Sequence, residues 1–218
     1  MLVHPFDSAM SEQEWRDWIS AGSRFGTLAV SGVGGAAPVM VPTHFTLIGD
    51  EILMHLHRAN SALPLLAISP RVSFSVIGDY AFIPNYWRAK EPARSGEAIA
   101  TSYYAAVDFT CEPSVVETNE ELLEILKAHM QDFQPEGGYD EISAEHPVYG
   151  SLMNAIRGVR LKIVSVDAKF KYDDHKSVEF RQAMVARLIE RNQGQDQGTA
   201  AQQQRRLDLL GLWTAENR

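Results

Sequence analysis

Apolar positions follow a helical period at both ends of the chain and a strand period between them. Ser11-Glu12-Gln13-Glu14 has capping-box spacing, and Trp15, Trp18 and Ile19 continue it at helical spacing, so a short amphipathic helix is predicted first. GTLAVS (26–31) reads as a strand and residues 37–47 as a second, with Pro42 marking an edge or bulge. Between them lies GVGGAA (32–37), which matches the G-x-G-x-x-A dinucleotide fingerprint in form. That fingerprint needs a helix to follow. PVMVPTHFTL follows instead, so a glycine hairpin is predicted. EILMHLH (51–57) is a third strand, with Ile52, Met54 and Leu56 on one face and Leu53, His55 and His57 on the other. A short helix over 61–69 leads to strands at 72–78 and 80–84 around a Gly78-Asp79 turn. After a polar loop (85–97), residues 98–116 return as strand.

The period then changes. Thr118 and Glu121 form a second capping box, and Leu122, Leu123, Ile125, Leu126, Met130 and Phe133 mark a helix. A short helix at 147–157, a long strand at 158–172 and a helix at 178–192 follow. GQDQGTAAQQQ (194–204) is polar and of low complexity, which reads as a linker or a frayed helix end. The reading is a mostly β, α+β chain with an antiparallel barrel and added helices. Residues 1–192 form that domain, 193–204 a polar linker and 205–218 a C-terminal helix.

Composition narrows the function classes. The 28 acidic and 20 basic residues leave a net charge of −8, which argues against a nucleic-acid partner. The basic residues nearest to a patch are Arg181, Arg187, Arg191, Arg205 and Arg206, and no helix-turn-helix signature accompanies them. One cysteine, no signal-peptide pattern in MLVHPFDSAM and no apolar run of membrane length lead to the expectation of a cytoplasmic protein with no membrane partner.

Two constellations carry chemistry, and both lie in MHLHRAN (54–60). His55-x-His57 has metal-ligand spacing, and His44 on a neighbouring strand could supply a third ligand. Strand histidines are more often wall residues, and no metal is expected. Arg58 and Asn60 stand where a strand ends and a helix begins, with Ser61 placed to cap it. An arginine fork beside a helix terminus suits a phosphate.

VPTHF (41–45), HLHRAN (55–60), PNYWRAK (84–90), TSYY (101–104), IRGVRLKI (156–163) and AKFKYDDHK (168–176) occur in the order found in the PaiB family, which this chain resembles over about residues 1–192. Members are described as FMN-binding negative transcriptional regulators with the FMN-binding split-barrel fold, related to pyridoxamine phosphate oxidases. The resemblance implies an antiparallel split barrel, an FMN cofactor and a homodimer with flavin sites at the interface. It implies a flavin-dependent oxidoreductase or a flavin-binding regulator; the alternatives are a negative transcriptional regulator acting without redox catalysis and a barrel without cofactor serving as a binding module. Arg58, Asn60 and Ser61 would hold the phosphate, and Thr43 and His44 would meet the isoalloxazine edge. Tyr86 or Trp87 would stack on the ring, and Lys90 would add charge. Where the family has alanine this chain has His57, and the family's K-L-S-Q-N becomes Lys171-Tyr172-Asp173-Asp174-His175.

Overall fold

The computed structural model describes residues 1–22, 24–89, 96 and 98–209. They form a mixed α+β chain whose seven strands make one antiparallel sheet in the order β2-β1-β5-β6-β7-β4-β3. The strands are β1 (Phe25–Val30), β2 (Val39–His44), β3 (Thr46–Ile48), β4 (Glu51–His57), β5 (Val72–Ile83), β6 (Thr101–Val115) and β7 (Ile156–Lys171). The helices are α1 (Glu12–Ser20), α2 (Ala62–Leu66), α3 (Asn85–Arg88), α4 (Asn119–Phe133), α5 (Pro147–Ala155), α6 (Val178–Arg191) and α7 (Asp196–Asp208). No helix among the described residues is long and apolar enough to cross a membrane.

The chain divides into two compact units. The first comprises Met1–Ser23, Ile77–Val107 and Asp167–Arg218; the second comprises Arg24–Val76 and Asp108–Val166. The long strands β5, β6 and β7 each contribute to both.

In the second unit β1 and β2 pair antiparallel from Phe25↔His44 to Val30↔Val39, and no helix follows the turn. Its glycines serve the hairpin: Gly34 and Gly35 have φ of 63° and 85°, and a Cβ on Gly32 would stand 2.4 Å from the Ala36 carbonyl oxygen. The fingerprint is therefore a turn. The sheet is not closed, and β2 and β3 stand at its ends. Only Phe45 separates those strands in sequence, so the two edges are joined covalently without a ladder between them. The core of this unit packs Leu53, Val116, Leu122, Ile125, Leu126, Ile142, Met153 and Ile156, which lays α4 on the Leu53 face of β4.

In the first unit the Ser11 hydroxyl caps α1 by accepting from the Glu14 amide at 3.2 Å, and Glu14 accepts the Met10 amide at 2.7 Å. The turn expected at Gly78-Asp79 is absent, and β5 runs straight through both residues. Gly78 is there for room: a Cβ would sit 2.6 Å from the Trp18 ring. Residues 85–88, expected as loop, form the one-turn helix α3. Most of the segment expected as a linker or frayed helix end lies in the regular helix α7, in which Thr199, Ala200, Gln203 and Arg206 are buried. Asn192 at φ 47° and Gly194 at φ 53° turn the chain between α6 and α7, and Arg191 clamps Asp196 with bonds of 2.7 and 2.6 Å. Tyr103 and Tyr104 take opposite faces of β6 as alternation requires. Tyr103 is buried and donates to Asp173 at 2.9 Å, while the Tyr104 ring lies beside Lys169 and Lys171.

Candidate functional site

The turn that ends β4 carries Arg58, Asn60 and Ser61, the residues expected at a phosphate, and its geometry differs from the expected helix terminus. Asn60, rather than Ser61, caps α2: its Oδ1 accepts the Ala62 amide at 2.9 Å, and Ser61 has helical dihedrals and makes no capping bond. The Asn60 carbonyl accepts from Leu63 at 3.1 Å, the His57 carbonyl accepts from Asn60 at 2.8 Å, and the His57 ring accepts the Ala59 amide at 3.1 Å. The Ala62 and Leu63 amides at the start of α2 are thus engaged within the turn, and α2 is only five residues long. What faces outward is side chain. Arg58 and Ser61 are exposed and Asn60 half-buried, and the Arg58 guanidinium has no partner among the described residues. A guanidinium, the Asn60 Nδ2 and the Ser61 hydroxyl within four residues of chain are donors of the kind a phosphate dianion takes.

The other predicted residues fall in both units. Thr43 is buried, and its hydroxyl donates to the His44 carbonyl at 3.1 Å. Tyr86 is exposed on α3, and one face of Trp87 is covered by Arg191, 4.6 Å from the ring centroid. Both belong to the first unit, whereas Thr43, His44, Arg58, Asn60 and Ser61 belong to the second. Lys90 lies outside the described residues.

His44 and His55 do meet, but their third companion is His129 of α4, not His57. The stripe Leu122, Ile125, Leu126, His129, Phe133 turns one face of α4 toward the sheet, and His129 occupies a buried position on it. His129 is the residue sequence reasoning missed, although its place in that stripe was a usable signal. The end of α4 is anchored by Asp132, which pairs with Arg24 and accepts from the Thr46 hydroxyl at 3.1 Å. The His129 Nε2–H donates to the Leu53 carbonyl at 3.1 Å, which leaves Nδ1 as a lone pair 3.2 Å from the His55 Nδ1. The His44 ring lies 5.1 Å from the His55 centroid, 5.2 Å from His129 and 5.4 Å from Phe133. The trio opens on a cavity of about 370 Å³ with almost wholly apolar walls.

Burial, then the neighbouring His129 and His44, lowers the His55 pKa to about 4, and burial lowers that of His129. The unfolded chain titrates these groups near 6.5 and so binds more protons below that pH. Stability conferred by the neutral ring is complete above pH 6.5 and is lost as pH falls toward 4. The expected loss from His55 is at most about 3 kcal/mol. Urea unfolding of metal-free wild type and His55→Asn between pH 7 and pH 4 checks this; parallel profiles for the two proteins would refute it.

A model of the family described as "Putative FMN-binding domain" matches residues 1–165. Among solved structures the chain is similar to a flavocytochrome from Azotobacter vinelandii, at 16% identity over 73% of this chain and 67% of that one, with a TM-score of 0.56. A conserved hypothetical protein from Mycobacterium tuberculosis is 23% identical over 78% and 90% of the two chains, with a TM-score of 0.55. The FAD and heme binding protein from Mycobacterium smegmatis is 16% identical over 81% and 79%, with a TM-score of 0.56. At these identities the likeness is one of fold. A search of the curated proteins finds no match.

Proposed function

The chain belongs to the FMN-binding domain family, with FMN as its cofactor, and on that premise we propose that Arg58 grips the FMN phosphate, assisted by Asn60 Nδ2 and the Ser61 hydroxyl. The observation that carries the assignment is the exposed Arg58 guanidinium, unpaired among the described residues, on a turn that also presents the exposed Ser61 hydroxyl and the half-buried Asn60 side chain. The protein's part is to bind and orient the flavin, and bound FMN supplies redox chemistry. The ring contacts expected of Thr43 and His44 are not carried into this assignment, because the Thr43 hydroxyl is engaged and the His44 ring lies with His55, His129 and Phe133.

The finer reading is a PaiB-type split-barrel protein that works as a flavin-dependent oxidoreductase and forms a homodimer with flavin sites at its interface. The oxidoreductase reading is favoured over the regulator by the fate of the basic residues. Arg181 and Arg206 are buried against Asp174, Arg205 bonds to Glu14 at 2.9 Å, Arg191 pairs with Asp196, and Arg187 bonds to the Trp87 carbonyl. Charges held by these internal partners leave little for a phosphate backbone. The test is titration of purified, flavin-free protein with FMN, followed by flavin fluorescence and visible absorption. Saturation at one FMN per chain supports the reading, and no binding at micromolar flavin refutes it. A shifted DNA band that resists competitor DNA would favour the regulator instead.

A further inference from the structure

We propose that His44, His55 and His129 hold one divalent first-row transition metal ion, with a fourth coordination position open to the apolar cavity beside them. Each ring offers one nitrogen, and these three nitrogens lie within 4.8 Å of one another. The closest pair, the Nδ1 atoms of His55 and His129, stands at 3.2 Å. Two nitrogens on one tetrahedral zinc, each about 2.0–2.1 Å from the metal, stand about 3.3 Å apart, so this edge has the ligand separation already. His44 completes the triangle by a rotation of its half-buried ring.

The His129 tautomer agrees with this, and a metal ion would replace the hydrogen bond that joins the His55 and His129 Nδ1 atoms. A metal-ligating histidine usually donates its other ring N–H to a carbonyl or carboxylate, which orients the lone pair. His129 does so: Nε2–H donates to the backbone carbonyl of Leu53, and Nδ1 faces the cluster. A purely structural trio would bond each ring to a neighbour, yet the His44 ring nitrogens make no hydrogen bond among the described residues. His44 touches its companions and Phe133 only through ring contacts.

Three neutral imidazoles suit zinc, cobalt, nickel or copper rather than magnesium or calcium, which take oxygen ligands. A three-histidine set that leaves a fourth position accessible is the arrangement of an open rather than a closed zinc site. That position faces Met130, Phe133, Ile142, Tyr149 and Leu152, so a ligand entering there would place an apolar body against these walls. This inference is independent of the flavin assignment, since Arg58 is no part of the trio.

The experiment uses the full chain, stripped with a chelator and titrated with cobalt(II) alone, with zinc(II) then added as competitor. Tetrahedral cobalt gives visible bands that saturate at one equivalent, and zinc should abolish them. His44→Asn and His55→Gln should each weaken binding by more than the roughly 10–100-fold that loss of an outer-shell partner costs. His57→Ala, on the same strand but exposed, should leave the titration unchanged. Circular dichroism of the metal-free variants separates ligand loss from misfolding, and should one fold poorly the other decides. No saturable cobalt band in the wild type, or bands that survive in both His44→Asn and His55→Gln, would overturn the proposal.

Discussion

Arg206→Ala is expected to destabilise the first unit by about 3–5 kcal/mol, the cost of breaking a buried ion pair by removing one partner. The Arg206 side chain is buried, and each of its nitrogens has a carboxylate or carbonyl partner. Nε donates to Asp174 at 2.7 Å, Nη1 to both Glu14 oxygens at 2.8 and 2.7 Å, and Nη2 to the Ser8 carbonyl at 3.1 Å. Asp174 retains the buried Arg181 after the substitution, at 2.5 Å. Glu14 retains Arg205, which is more exposed. Two carboxylates in a dry environment would then share less positive charge than they were folded around, and their desolvation is no longer offset. Arg205→Ala should cost far less, since its partially exposed pair gains little from low dielectric. Denaturant unfolding of the three proteins at pH 7 ranks them, and a loss below about 1 kcal/mol for Arg206→Ala would show that the network contributes little net energy.

That network also marks where sequence reading stops. The elements whose cause is local were legible: both capping boxes, the glycine hairpin at 32–37, and the alternation in β4 that separates Ile52, Met54 and Leu56 from Leu53, His55 and His57. Features caused by distant partners were not. Gly78 looked like a turn because a glycine kept for close approach carries the same letter as one kept for positive φ, and the Trp18 ring that requires it is 60 residues away (78 − 18). Helix α7 looked like a linker because its glutamines and small residues have no apolar stripe. Its anchoring comes from Arg206 reaching Glu14 across a separation of 192 residues. The residues that depart from the PaiB pattern at 171–175 belong to the same system. Asp173 takes Arg88 and Tyr103, and Asp174 takes Arg181 and Arg206.

The candidate site divides in the same way. The junction that carries Arg58 and Asn60 was legible because the strand end and the following helix are contiguous in sequence, although the capping role fell to Asn60 and not Ser61. The histidine trio was half legible. His44 and His55 could be paired on strands, but the third nitrogen comes from a helix 74 residues beyond His55, and an imidazole inside an apolar stripe reads as one more core position.

Arg58→Ala should weaken FMN binding by roughly 10- to 150-fold, the equivalent of about 1.5–3 kcal/mol for one charge-assisted hydrogen bond to a dianion. With the local amides engaged, Arg58 supplies the formal charge at this turn, so the effect should fall toward the upper part of that range. Arg58→Lys should recover only part of the affinity, because an ammonium restores the charge without the planar fork. The loss should be specific to the phosphate: riboflavin, which lacks it, should bind wild type and Arg58→Ala with nearly equal, weaker affinity. His57→Ala tests the alternative that the neighbouring ring matters. His57 is exposed and its Nδ1 is committed to the Ala59 amide, so truncation should loosen the turn and lower FMN affinity less than loss of the guanidinium does. Rising ionic strength should weaken the wild-type complex more than the Arg58→Ala complex, since only the former retains the exposed charge pair. Fluorescence titrations of the four proteins with FMN and riboflavin measure all of this. If Arg58→Ala binds FMN as tightly as the wild type, the phosphate lies elsewhere and the assignment of this turn is wrong.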